Sequence, residues 1–245
     1  MLKSIWKKGL IQCLVALLIV SSIPPVNSHA EPSTKNEESN SSSNSASNPT
    51  IDDYEIGEVI EKRTENEKVF YEGKGKYRKE IYFEPIHKKV KGKKYLEEIS
   101  ADLVEDNNNT DEINTENTII NTTFRKKMKS GHYAEFEIKG HKIDYSILSA
   151  SGEDKETITA KDVHAQYKKK TNKITHKNVF PNIDLQNLTF GQNVKEDLVL
   201  KSYNGYHIFK FKLETDLDAE IQKDGSIHFF DKDSKKIFDL PKPFM

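Results

Sequence analysis

The chain has 245 residues, with 38 lysines and arginines against 39 aspartates and glutamates, for a net charge of −1. A surface this balanced gives no overall drive toward nucleic acid. The single cysteine, Cys13, excludes an intrachain disulfide and a thiolate metal cluster.

The first thirty residues read as an export signal. MLKSIWKKGL carries Lys3, Lys7 and Lys8 and no acid, an apolar run follows from Cys13 to Val20, and Ser28-His29-Ala30 supplies a small-x-small cleavage site. The expected cut falls between Ala30 and Glu31. The alternative is an uncleaved anchor, although the run is shorter than the ~20 apolar residues that span a bilayer comfortably. Cleavage takes away Cys13 and Trp6, and by removing three lysines and no acid it moves the net charge from −1 to −4. Residues 31–50, EPSTKNEESNSSSNSASNPT, hold no large apolar side chain. Such a segment cannot bury enough surface to offset its ordering entropy, so a disordered Ser/Asn-rich linker is expected there.

From residue 51 the apolar residues recur at every second position, the mark of half-buried strands. Strands are predicted at 57–63, 67–72, 76–83, 94–100, 118–124, 134–138, 141–148, 157–167, 185–190, 194–201, 207–213, 219–223, 226–231 and 236–240. Lys139-Gly140 and Asp224-Gly225 each sit between alternating runs and predict hairpins. The polar stretch VEDNNNTDEINTEN, 104–117, reads as a long loop. No segment past residue 50 sustains helical spacing for three turns. The fold predicted is all-β, an antiparallel β-sandwich or an extended stack of paired sheets. It forms one β-rich module over 51–245 after the signal peptide and linker.

The chemistry-bearing residues form no catalytic pattern. Seven histidines lie beyond the signal, none with the spacing of a zinc site; His132 and His141 are the pair that could face each other across the Lys139-Gly140 hairpin. Glu196-Asp197 and Asp216/Asp218 read as solvated strand faces and loop ends. There is no G-x-S-x-G and no phosphate-cradling glycine loop before a helix. No catalytic residue, no metal ligand and no cofactor is therefore assigned. HKNVFPNIDL, 176–185, with His176, Phe180, Pro181 and Asp184, reads as a structural corner in which Pro181 interrupts ladder pairing and Asn182 and Asp184 close the turn. Two basic clusters remain: Lys88, Lys89, Lys91, Lys93 and Lys94, then Arg125, Lys126, Lys127 and Lys129. They serve either to hold an anionic wall polymer or polysaccharide by charge, or to keep strand edges from pairing with other chains. Tyr203 and Tyr206, flanking Asn204-Gly205, are the candidates for stacking on a sugar.

GEVIEKRTENEKVFYEGKGKYRKEIYFEPIHKK at 57–89, KNVFPNIDL at 177–185, VKEDLVLKS at 194–202, AEIQKDGSIHFFDK at 219–232 and IFDLPKPFM at 237–245 together resemble a known region. It is the N-terminal β-rich region of exported Gram-positive wall-associated proteins of the RHS/YD-repeat and DNRLRE-domain kinds. The resemblance implies a non-catalytic β-module that precedes a sugar-binding-like β-domain, a repeat shell and a variable C-terminal toxin. It transfers no functional residue. The chain is expected to stop before those parts, as a short paralogue or a truncated remnant, so toxin activity does not carry over.

The function expected is that of an exported, non-catalytic module, secreted or wall-associated, with a structural or binding role. Nucleic acid is not expected as a partner, and a membrane only during export. A secreted polysaccharide hydrolase is the alternative, and would need a cleft holding two carboxylates of shifted acidity. A remnant would show an exposed apolar edge or an unpaired C-terminal strand.

Overall fold

The computed structural model describes residues 11–16, 55–105 and 109–244. The cleavage site at Ala30 and Glu31, and the linker 31–50, lie outside the described residues. The chain divides into two compact units, one of residues 20–97 and one of residues 1–19 and 98–245. Apart from one turn of 3-10 helix, the described residues form strands and their connections, all antiparallel where they pair.

In chain order, β1 (Ile11–Ala16) belongs to the larger unit. The smaller unit holds β2 (Gly57–Glu58), β3 (Glu67–Gly73), β4 (Lys76–Ile81) and β5 (His87–Lys88), and β6 (Glu97–Glu98) follows. Its sheet runs β2-β3-β4. The predicted strand 57–63 is cut short: after Glu58 the chain turns through a 3-10 helix at Ile60–Lys62, with Lys62 N–H donating to Val59 O at 2.9 Å. Val59, almost wholly buried, anchors that turn.

The larger unit continues with β7 (Ser100–Glu105), β8 (Glu112–Asn117), β9 (Asn121–Lys129), β10 (His132–Ile138), β11 (His141–Gly152), β12 (Lys155–Thr159) and β13 (Ala165–Tyr167). Then come β14 (Lys173–Phe180), β15 (Ile183–Thr189), β16 (Val194–Leu200), β17 (Ile208–Thr215), β18 (Asp218–Ile221), β19 (Ile227–Phe230) and β20 (Lys236–Leu240). The largest sheet has the order β1-β17-β11-β10-β9-β8-β7, with β12 also paired to β11. A four-stranded sheet β13-β14-β15-β16 and a three-stranded sheet β18-β19-β20 complete the unit. Part of the apolar run read as the export signal thus lies along β17, with Ile11 opposite Leu213 and Ala16 opposite Ile208.

One apolar core joins these sheets. Phe124, Tyr133, Ile147 and Phe209 come from the largest sheet, Ile174, Phe180, Ile183 and Leu185 from the second, and Phe229 from the third; all are buried. Phe180 and Phe209 meet with ring centroids 6.0 Å apart. Burying each such ring contributes about 2–3 kcal/mol.

The Lys139-Gly140 hairpin forms as predicted, with Lys139 at φ 52° and Gly140 at φ 83° between Ile138 and His141. The Asp224-Gly225 hairpin also forms, Ile221 facing Ile227. Four further expectations fail. The predicted strand 157–167 is two strands of different sheets, because β12 pairs with β11 and β13 with β14. The supposed loop 104–117 contains β8, paired on both sides, because Ile113 is fully buried and backbone hydrogen bonds hold its otherwise polar neighbours. Ser130-Gly131, next to the basic cluster and not predicted as a turn, is a tight turn between β9 and β10. And β14 was not predicted, since its alternation is broken by a bulge between His176 and Phe180.

Candidate functional site

The register of β15 and β16 places Leu185 opposite Leu198 and Asn187 opposite Glu196. Opposed residues share a face and residues two apart return to it. Core residues Leu185 and Leu198 therefore put Asn187 and Glu196 on the core side as well. There Glu196 Oε2 accepts hydrogen bonds from the Tyr133 phenol and, at 3.3 Å, from Asn187 Nδ2. Tyr133 and Asn187 are both fully buried. The β9–β10 turn delivers Tyr133 to this place, and it requires glycine: a Cβ on Gly131 would lie 1.9 Å from Ile147 O.

Burial is the largest influence on the Glu196 carboxyl and raises it to about 7; hydrogen bonds from Tyr133 and Asn187 oppose the rise, and the charge of Asp197 adds to it. Glu196 as a residue is part-exposed, but its carboxyl end meets two fully buried groups. Burial, and then the Glu196 charge, push the Tyr133 phenol well above its usual value. Asp197, on the opposite face of β16, is 4% exposed and pairs with Lys195 at 3.0 Å. Glu196-Asp197 is thus not a solvated pair: period-two spacing with Leu198 carries Glu196 inward.

Glu196 opens onto a cavity of about 680 Å³. Phe136, Tyr145 and Phe211 line it from the largest sheet, Val194 from the second, and Ile227, Phe238 and Leu240 from the third. Phe190, Ile221 and Phe244 also line it and are 42%, 76% and 67% exposed. Size and lining match a small-molecule site, typically ~300–1,000 Å³ and mostly apolar with a few polar groups. The other carboxylate on its wall, Asp239, pairs with Lys236 at 3.5 Å.

The histidines go elsewhere. His132 faces Ser146 across β11 and His141 faces Ile138, so the two stand at opposite ends of the hairpin and do not meet. His132 Nε2 lies 3.2 Å from Asp144, beside a recess of about 370 Å³, and His141 Nδ1 lies 2.8 Å from Asp216. His176 is fully buried, bonded through Nε2 to Arg125 O at 3.0 Å, and burial lowers its pKa. In HKNVFPNIDL, Pro181 and Asn182 make the two-residue connection from β14 to β15. Asp184 does not close that turn. Its Oδ1 accepts the Asn178 N–H at 2.7 Å, within the β14 bulge, and pairs with Lys201 at 2.6 Å.

The basic clusters fall in different units. In the first, Lys89 Nζ donates to Lys93 O and Lys94 O, Lys93 pairs with Glu97 at 3.8 Å, and burial lowers the Lys88 pKa. Lys91 and Lys94 are exposed. In the second, Arg125 pairs with Glu112 and Lys126 with Glu105, leaving Lys127 and Lys129 exposed. β9 pairs with β8 only as far as Arg125; beyond it Lys126 N–H donates to Asp111 O and Met128 N–H to Val163 O, and Lys127 bridges His164, so this stretch is no open edge. Tyr203 is 90% exposed, whereas Tyr206 packs against the core.

No family model and no solved structure matches the chain. Among characterised sequences, it is 59% identical over 193 residues to the "Wall-associated protein" of Geobacillus stearothermophilus, covering 79% of this chain and 76% of that one. The chain belongs to the wall-associated protein family. It is also 50% identical over 189 residues to the "tRNA nuclease WapA" of Bacillus subtilis strain 168, and 48% identical over 197 residues to the "tRNA3(Ser)-specific nuclease WapA" of Bacillus spizizenii. The matched stretch is 8% of each of those nucleases, against 76% of the shorter wall-associated protein.

Proposed function

We propose that the chain is an exported, non-catalytic module that sits at the cell wall and has a structural or binding role, in the manner of the N-terminal region of RHS/YD-repeat and DNRLRE-domain wall proteins. The observation that carries this is the 59% identity to a wall-associated protein over 76% of that protein's length. The nuclease activity named for the WapA relatives belongs to proteins of which the chain matches 8%, and it is not extended to this chain. The non-catalytic reading draws support from the cavity. Of the two carboxyls on its described wall, Asp239 is held by Lys236 at 3.5 Å and Glu196 stands without an ion pair, while hydrolysis of a glycosidic bond uses two carboxyls ~5–10 Å apart acting together on the bond. The contacts to the wall come from Lys91, Lys94, Lys127 and Lys129, whose exposed charges suit an anionic polymer.

The test is sedimentation of the mature protein with purified wall, at low salt and again in high salt. Retention that high salt removes is expected, since exposed charges are screened within ~3 Å at 1 M. Failure to sediment at low salt, with turnover of a wall polymer, would overturn the proposal.

A further inference from the structure

We infer that the cavity between the three sheets of the larger unit binds a primary ammonium on an alkyl stem, head-first, with the ammonium at Glu196 and the stem against Phe136, Phe211 and Phe238. The inference goes beyond placement at the wall and does not depend on it.

Four observations carry it. First, polarity is arranged from inside to outside: Glu196 opens onto the cavity from the Tyr133–Asn187 end, whereas Phe190, Ile221 and Phe244 are exposed on its lining. A ligand with a polar head and an apolar body fits that order when the head enters first. Second, the polar end lacks donors. Glu196 Oε2 takes both available bonds, which leaves Oε1 without a hydrogen-bond partner among the described residues, on a side chain that lines the cavity. An ammonium brings three donors and no acceptor, which suits a carboxyl oxygen with no donor of its own. Third, the walls are aromatic, and ring faces attract cations in a desolvated site. Fourth, of the two carboxyls on the cavity wall Glu196 is the one without an ion pair among the described residues. Lys195 is held by Asp197, Asp239 by Lys236, and Lys242 runs its stem past Gly225. Tyr133 and Tyr145, the other titratable groups on the cavity side, are phenols.

Binding requires the ionised carboxyl, so affinity rises with pH. Below the raised Glu196 value of about 7 the ligand must displace a proton, and affinity falls about tenfold for each further pH unit. Above it, affinity levels off until the amine itself deprotonates.

The experiment is calorimetric titration of the full chain with n-hexylamine and with Nα-acetyl-lysine amide. Hexanol, hexanamide and hexanoate serve as stem-matched controls, at pH 5.5, 6.5 and 8, in buffers of different ionisation enthalpy. Expected results are amine binding at pH 8 at least about tenfold tighter than any control, weakening at pH 5.5, and proton release on binding near pH 6.5. Binding of hexylamine without the blocked lysine supports the inference and narrows the source to a free amine. Glu196→Gln, nearly isosteric, is expected to lose about tenfold or more for the amine and to leave hexanol unchanged. Equal binding of hexanol or hexanamide, tighter binding of hexanoate, or amine binding without proton release would overturn it, as would no amine binding at all. Loss of wall sedimentation with amine binding intact would strike only the proposed function.

Discussion

Two tyrosine–glutamate pairs sit in the larger unit, and their carboxyls move in opposite directions. Tyr167 donates to Glu105 at 2.7 Å beside Lys169 at 2.7 Å and Lys126 at 3.4 Å, and those hydrogen bonds hold the Glu105 carboxyl down at about 2. Burial and the Glu105 bond raise the Tyr167 phenol to about 12. Tyr133 donates to Glu196 with no lysine opposed to that carboxyl, and burial lifts it to about 7. The phenol–carboxylate bond is common to both. What differs is burial and cation: where two ammoniums meet an open carboxyl the charge is favoured, and where the carboxyl packs against buried Tyr133 and Asn187 with no ammonium beside it the proton is held more tightly.

The comparison breaks most completely if the turn that positions Tyr133 is lost. Gly131→Ala drives a Cβ toward Ile147 O at a residue with φ 79°. It is expected to cost about 3 kcal/mol or more in urea unfolding. The mirror change at Gly140, at φ 83° with nothing near its Cβ position, costs only backbone strain, about 1–2 kcal/mol.

Next in size is the pH dependence. Glu196 binds its proton more tightly folded, at about 7, than at the ordinary 4.5 of an unfolded glutamate. Its contribution is complete below pH 4.5 and is lost as pH rises to about 7, for a total of about 3 kcal/mol. Glu196→Gln is expected to remove this slope, measured as urea midpoints across that range. A smaller effect comes from Tyr133→Phe, which takes one donor from the carboxyl and costs about 1–3 kcal/mol at pH 8. The smallest is on the exposed pair. Glu105→Gln leaves the urea midpoint unchanged within error, because such pairs are screened by solvent. Its visible consequence is a fall of the Tyr167 phenol from about 12 toward 10, followed by ultraviolet absorbance.

Much of this architecture was legible in period-two spacing. The runs AEFEI and HIFKFKL became β10 and β17 because each alternates apolar residues that all point into one core. β14 was illegible because its bulge shifts Val179 and Phe180 out of phase with Ile174 and His176, and β8 because one buried isoleucine carries no period. The site was half legible. Glu196 stands two residues from Leu198 and four from Leu200, so alternation alone assigns it to the apolar face, against the hydrophilic look of Glu196-Asp197. Tyr133, 63 residues distant, has no local signal for its bond to Glu196, and the cavity exists only because three sheets converge. The basic clusters were visible at once, but their ion pairs with Glu112 and Glu105 depend on strand register.

The most direct measurement is a carbon-13 titration of the glutamate carboxyls by NMR, with Glu196→Gln identifying the resonance. A midpoint near 7 for Glu196, beside one near 2 for Glu105, is the result predicted. A Glu196 midpoint near 4.5 would place its carboxyl in water, and would contradict both the buried Tyr133–Glu196 pair and the cavity chemistry built on it.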